Sequence, residues 1–146
     1  MHVFVLIAHS MVRWAVLGLG VFALVRMTAG VVRETAWTTM DRRSLVMFVG
    51  ILDLQLLLGL ILFATSPIIR EALHDVGAAM GTPALRFFLA EHPLTMVGAV
   101  AIAHVGSVIA RRAPNDAVRF RRAAFSVALS LGLLLAGIPW GRLIPG

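Results

Sequence analysis

The sequence predicts an all-α integral membrane protein, a four-helix bundle with both termini on the outer side. Three observations carry this. Of the 146 residues, 60% are hydrophobic and only 14% are charged, too apolar for a soluble domain of this size. Four apolar spans can be drawn, at about 3–25, 44–66, 86–110 and 123–141, each near the 20 residues that cross a bilayer. The arginines gather between alternate spans. The first inter-span loop holds Arg33, Arg42 and Arg43, with Arg26 at its edge, and the third holds Arg111, Arg112, Arg119, Arg121 and Arg122. The middle loop is balanced, with Arg70, Glu71, Asp75 and Arg86. Basic loops stay in the cytoplasm, so loops one and three face inward.

Residues 1–146 read as one transmembrane domain, with no internal repeat and no linker. Lipid offers the backbone no hydrogen-bond partners, so spans this short must be helices. The start of the chain has no basic leader region, and Arg13 interrupts the apolar stretch. It reads as the first span and not as a cleaved signal. Asp41 is expected to cap the start of span two, with Arg42 and Arg43 anchoring it. Between spans two and three, Ile68 to Met80 predicts a short amphipathic helix with Ile69, Leu73 and Val76 on one side. Trp140 suits an interfacial anchor at the outer end of span four.

Composition also narrows the chemistry. Cysteine is absent, which excludes disulfides and thiolate metal sites. All thirteen basic residues are Arg. They lie in short loops without an aromatic-interleaved basic stripe, so no nucleic acid is expected as a partner. Ser10 sits beside His9, but no base and orienting group follow to make it a nucleophile.

Ionisable groups inside apolar spans mark functional sites by default. At 1.5 Å per residue, His9 and His92 each lie about 9 Å in from the outer end of their spans. Two imidazoles at equal depth on different helices can face each other. Arg13 is one turn below His9 on the same face. Below His92 come Met96, Ala99 and Ala103; below His9 come Arg13, Val16 and Gly20. Small residues there suit either close helix packing or room for a flat ligand. Asp53 and Arg13 both fall near the midplane, which predicts that they pair directly or through a ligand or water. Gln55 points to a different side of span two from Asp53, so at most one of them faces the histidines. Glu91 or Gln55 is expected to orient an imidazole, or Glu91 to sit at the outer water boundary. Pro93 frees the carbonyl of Leu89 and re-aims His92. His104, twelve residues past His92, is rotated about 120° and cannot share its site. His2 and His74 receive no role.

Paired imidazoles in a membrane bundle suit an axially ligated haem iron. Arg13 is placed to meet a propionate, and Met96 either ligates or packs. The residues leave two other readings open. One is a cofactor-free accessory subunit of a larger membrane complex, with His9, Arg13, Asp53, Gln55 and His92 as a polar network. The other is a proton- or ion-conducting path on Arg13, Asp53 and Glu91.

The motifs His9-Ser10-x-x-Arg13-Trp14, Asp53-Leu54-Gln55-Leu56-x-x-Gly59-Leu60, Glu91-His92-Pro93-x-x-Met96 and Ile138-Pro139-Trp140 resemble a family of small bacterial four-span proteins labelled "cytochrome B". The resemblance covers nearly the whole chain. The first span is also faintly similar to the His-bearing helix of the CopD and HemJ-like groups, which handle copper transport and protoporphyrinogen oxidation. The HemJ-like groups use a lysine, and this chain has none. The resemblance implies a multi-pass protein of the bacterial inner membrane with one haem b per chain on axial His9 and His92. The cofactor-binding set would be His9, His92, Arg13, Gln55, Glu91 and Met96. The implied function is electron transfer or haem-linked redox with a quinone or a membrane partner protein, in a homo-oligomer or larger complex.

Overall fold

The computed structural model describes residues 2–140. The described residues are helical with short connections. Helix α1 covers His2–Arg33, α2 Thr39–Thr65, α3 Pro67–His74, α4 Val76–Gly81, α5 Pro83–Arg111 and α6 Asp116–Gly137. Four of these, α1, α2, α5 and α6, are long and apolar enough to cross a membrane. Helices α1, α2 and α6 extend well past the expected spans at their arginine-rich ends and α5 slightly at both ends, while α2 ends at Thr65 and α6 at Gly137, short of the expected 66 and 141. The last residue of the expected fourth span, 141, lies outside the described residues.

The helices run up and down. Helix α1 packs on α2 and α6, and α5 packs closely on α6 and sparsely on α2. The bundle therefore closes as a ring, with α1 and α5 on one diagonal. Its core is made of Val16, Ala23 and Met27 from α1, Phe48 and Leu52 from α2, Ala99 and Ala103 from α5, and Phe120, Val127 and Leu131 from α6. Two glycines set how close the backbones come. A Cβ at Gly30 would fall on the Phe120 ring, and one at Gly106 on the side chain of Ser126. Such small residues let apolar helices approach to backbone contact.

The basic ends of the helices are tied by polar side chains. Thr38 caps α2 in a capping box: its hydroxyl accepts from Asp41 N–H at 3.3 Å, and Asp41 Oδ2 accepts from Thr38 N–H at 2.8 Å. The cap is thus Thr38, with Asp41 as the reciprocal partner three residues on. Asp41 is 3% exposed and also takes Arg26 from α1 at 2.7 Å. Asn115 caps α6, accepting from Val118 N–H at 2.9 Å. The first and third loops meet here. Trp37 N–H donates to Asp116 at 2.9 Å, and the Trp37 ring lies 4.8 Å from that of Phe120. The two arginine-rich loops therefore share one end of the bundle.

The opposite end departs from expectation in the middle connection. One amphipathic helix over Ile68 to Met80 becomes two, split at Asp75, whose carboxylate accepts from Ala78 N–H and starts α4. The buried residues are Ile69, Ala72 and Ala79, while Leu73 and Val76 are exposed. The break turns the second half away from the face that Ile69 begins.

Candidate functional site

Helix α5 is not uniform. Phe87–Glu91 forms a π-helical turn, in which His92 N–H bonds the carbonyl of Phe87, five residues back. Pro93 has no N–H to give the ladder, and the widened turn absorbs that defect. The extra residue rotates everything after it, and His92 is the first side chain affected.

The rotation brings His92 across the diagonal to His9. The two ring centroids are 6.5 Å apart and the planes are inclined by 72°. His92 Nδ1 lies 2.7 Å from the carbonyl oxygen of Gly137. A carbonyl only accepts, so Nδ1 carries the proton and Nε2 keeps its lone pair. That carbonyl is free because α6 stops there, and the last carbonyls of a helix lack partners within it. The rings of Phe87 and Phe88 stand 5.8 and 6.4 Å from His92.

On the other side Gln55 holds His9. Its amide nitrogen is 3.1 Å from His9 Nε2 and 3.1 Å from the His9 carbonyl. Of the two candidates on α2, Gln55 is the one that faces the histidines. Three buried polar atoms at this site have no hydrogen-bond partner: His9 Nδ1, Gln55 Oε1 and Arg13 Nε. Arg13 extends over the ring of its neighbour Trp14, 5.4 Å from the centroid.

Several expectations require correction. Asp53 does not bond Arg13 directly. It accepts from His104 Nε2 at 2.7 Å, on the outer surface of the α2–α5 seam. Asp53 and Gln55 point to different sides of α2, and the side that Asp53 takes faces α5. Glu91 orients no imidazole; it pairs with Arg86 at 2.7 Å, one wide turn back, and both are exposed. Below the histidines the small face is filled. Gly20 is covered by Leu131 and Phe48, and the carbonyl of Ala99 takes the hydroxyl of Ser130 at 2.9 Å. Met96 turns its methyl end onto Gly137. Among the described residues no hydrogen bond or ion pair joins Arg13, Asp53 and Glu91 to one another. His2, at the same end, has Nδ1 3.3 Å from the Thr65 hydroxyl.

Sequence reasoning missed the Gly137 carbonyl and the two phenylalanines. Gly137 two residues before Pro139 signals a helix end and hence a free carbonyl. Nothing in the sequence says which helix that carbonyl faces.

Among the described residues no three His, Asp or Glu side chains converge on one metal position. Two open grooves, along α5 and α6 near Ala101 and Phe125 and beside α3 and α4, do not include His9 or His92. No family model, curated protein or solved structure matches this chain. What the fold defines is a class: an all-helical protein with four helices long and apolar enough to cross a membrane. Within that class the distinguishing feature is an imidazole pair joined across the bundle diagonal.

Proposed function

We propose that this chain is a multi-pass membrane protein that holds one haem b between His9 and His92 and passes electrons to or from a quinone or a membrane redox partner. The observation that carries the reading is the imidazole pair with its unpartnered neighbours. Metal–nitrogen bonds of about 2.0–2.1 Å put two imidazoles that share a metal roughly 6–7 Å apart between centroids, and the pair stands at 6.5 Å. The bond to Gly137 leaves His92 Nε2 with its lone pair. At His9 the fit needs one adjustment. If the Gln55 amide turns so that Oε1 accepts from Nε2–H, His9 Nδ1 offers its lone pair, at the cost of the bond that the amide nitrogen now gives the His9 carbonyl. Arg13, whose Nε is unpartnered, is one turn from His9 and would meet an anionic edge such as a propionate. The filled core beneath keeps any bound group at this end of the bundle. Bound there, haem supplies one-electron redox chemistry. Met96 packs on Gly137 and keeps α5 against α6 in this reading.

Purification with adequate haem supply tests it. The wild type should be red, with haem near one per chain and a low-spin spectrum. His9→Ala and His92→Ala should each lose or loosen the cofactor, and His104→Ala should keep it. A colourless wild type that takes up no added haem would leave the second reading, a structural polar network. The Gln55–His9 and His92–Gly137 bonds, which tie α2 to α1 and α5 to α6, favour that alternative.

The arginine-rich end faces the cytoplasm in this proposal, with both termini outside. A C-terminal tag protected from protease in spheroplasts would invert it.

A further inference from the structure

One ionisable pair stands apart from the histidine site. His104 of α5 donates to Asp53 of α2 at 2.7 Å, yet their side chains are 50% and 48% exposed. Asp53 is ten residues from Arg43 and His104 seven from Arg111, so both lie about 10–15 Å in from the basic end. Within a membrane, ionisable side chains face a bundle interior, a watery cavity or a partner. This pair faces outward, and Leu57, Leu60, Val97 and Val108 around it are exposed and apolar.

We infer that the Asp53–His104 seam is a two-fold interface with a second copy of this chain. The inference rests on the membrane-spanning part of the proposed function and not on the cofactor. Two copies inserted in the same sense can be related only by an axis along the membrane normal. Rotation about that axis preserves depth. Asp53 and His104 bond directly across the seam, so they share a depth. A two-fold there sets Asp53 against the partner's His104, and His104 against the partner's Asp53. The charges are complementary without any other protein.

The bonding capacity also matches. Asp53 uses one oxygen and His104 one ring nitrogen, leaving Oδ2 and Nδ1 unused among the described residues. A protonated His104 donates from Nδ1 to the Asp53 Oδ2 of the partner, which closes a neutral ring of two carboxylates and two imidazoliums. Interhelical polar bonds of this kind hold membrane helices together. The backbones have room to approach: Gly50 lies one turn before Asp53, and a Cβ there would meet nothing within 4 Å. The α2–α5 contact is also the sparsest of the four around the ring.

The chain has no cysteine, so introduced ones report cleanly. Leu57→Cys, beside the seam, should form a disulfide-linked dimer on oxidation in liposomes. Phe125→Cys, exposed on α6, should not. Single-molecule photobleaching of labelled chains should show dimers. Asp53→Leu with His104→Leu, which strands no charge, should raise the chain density for half-dimerisation about tenfold or more. Wild type that stays monomeric at every density overturns the inference, as does a double variant that dimerises unchanged. Selective linking through position 125 overturns it too. If the wild type is monomeric and a lipid-soluble quinone shields Asp53 from carbodiimide, the seam belongs to a small molecule instead. None of these readouts depends on haem, so a colourless protein that dimerises leaves the inference standing.

Discussion

The two ends of the bundle treat their buried polar groups differently: among the described residues the basic end leaves one buried polar atom, Arg119 Nε, without a partner, and the histidine end leaves three. At the basic end Asp41 is 3% exposed and accepts from the Thr38 backbone, the Thr38 hydroxyl and Arg26. Asp116 there takes the Trp37 N–H and Arg119. At the histidine end, His9 Nδ1, Gln55 Oε1 and Arg13 Nε are buried without partners, and α5 carries a π-turn. An unpaired buried polar atom costs about 1–3 kcal/mol. One end is therefore arranged for stability, and the other keeps bonding capacity in reserve.

The sharpest way to break the contrast is at Asp41. Asp41→Ala leaves the part-exposed Arg26 without its partner and removes one arm of the capping box of α2, so it should destabilise by about 1–3 kcal/mol. Thermal unfolding in detergent measures this. If the comparison holds, folded Asp41→Ala protein still binds its cofactor at the wild-type ratio. A stability loss below 1 kcal/mol would mean the basic end is not the stabilising one.

Gln55→Leu probes the other end. Two hydrogen bonds of about 1 kcal/mol each are lost, but an unpartnered buried carbonyl disappears with them, so stability should fall by only about 1 kcal/mol. Cofactor affinity should fall about 10–100-fold, as when a residue orienting a ligating histidine is removed. Haem titration against the unfolding curve separates these effects. A large stability loss with unchanged affinity would make Gln55 a structural tie only. The smallest effect belongs to Glu91→Gln. Its partner Arg86 is exposed, so about 0–1 kcal/mol is expected, with no spectral change. A shifted spectrum would give Glu91 a place at the site after all.

The legible parts of the site were those set by position along a helix. His9 and His92 were paired from depth alone, and they do meet across the bundle. Gln55 was one of two candidates on span two, separated from Asp53 by the helical turn, and only the packed bundle showed which faced the histidines. Asp53 does not bond Arg13 directly: the two were matched by position along their helices, which says nothing of which neighbour a side chain faces. That depends on where α5 stands relative to α2. Glu91 takes the exposed position of its two expected ones, because a π-turn brings it to Arg86, and the widening of one turn leaves only Pro93 as a mark in the sequence.

By itself, the sequence determined four apolar helices, the arginine-rich connections and the depth of each ionisable residue. These follow from local composition and from a fixed rise per residue. The tertiary structure alone decided which helices are neighbours, that Gly137 offers its carbonyl to His92, and that Asp53 and His104 share an outward seam. The physical reason is that partner choice depends on how each helix is rotated about its axis. Close contacts such as Gly30 on Phe120 and Gly106 on Ser126 settle that rotation, and they form only when all four helices pack together.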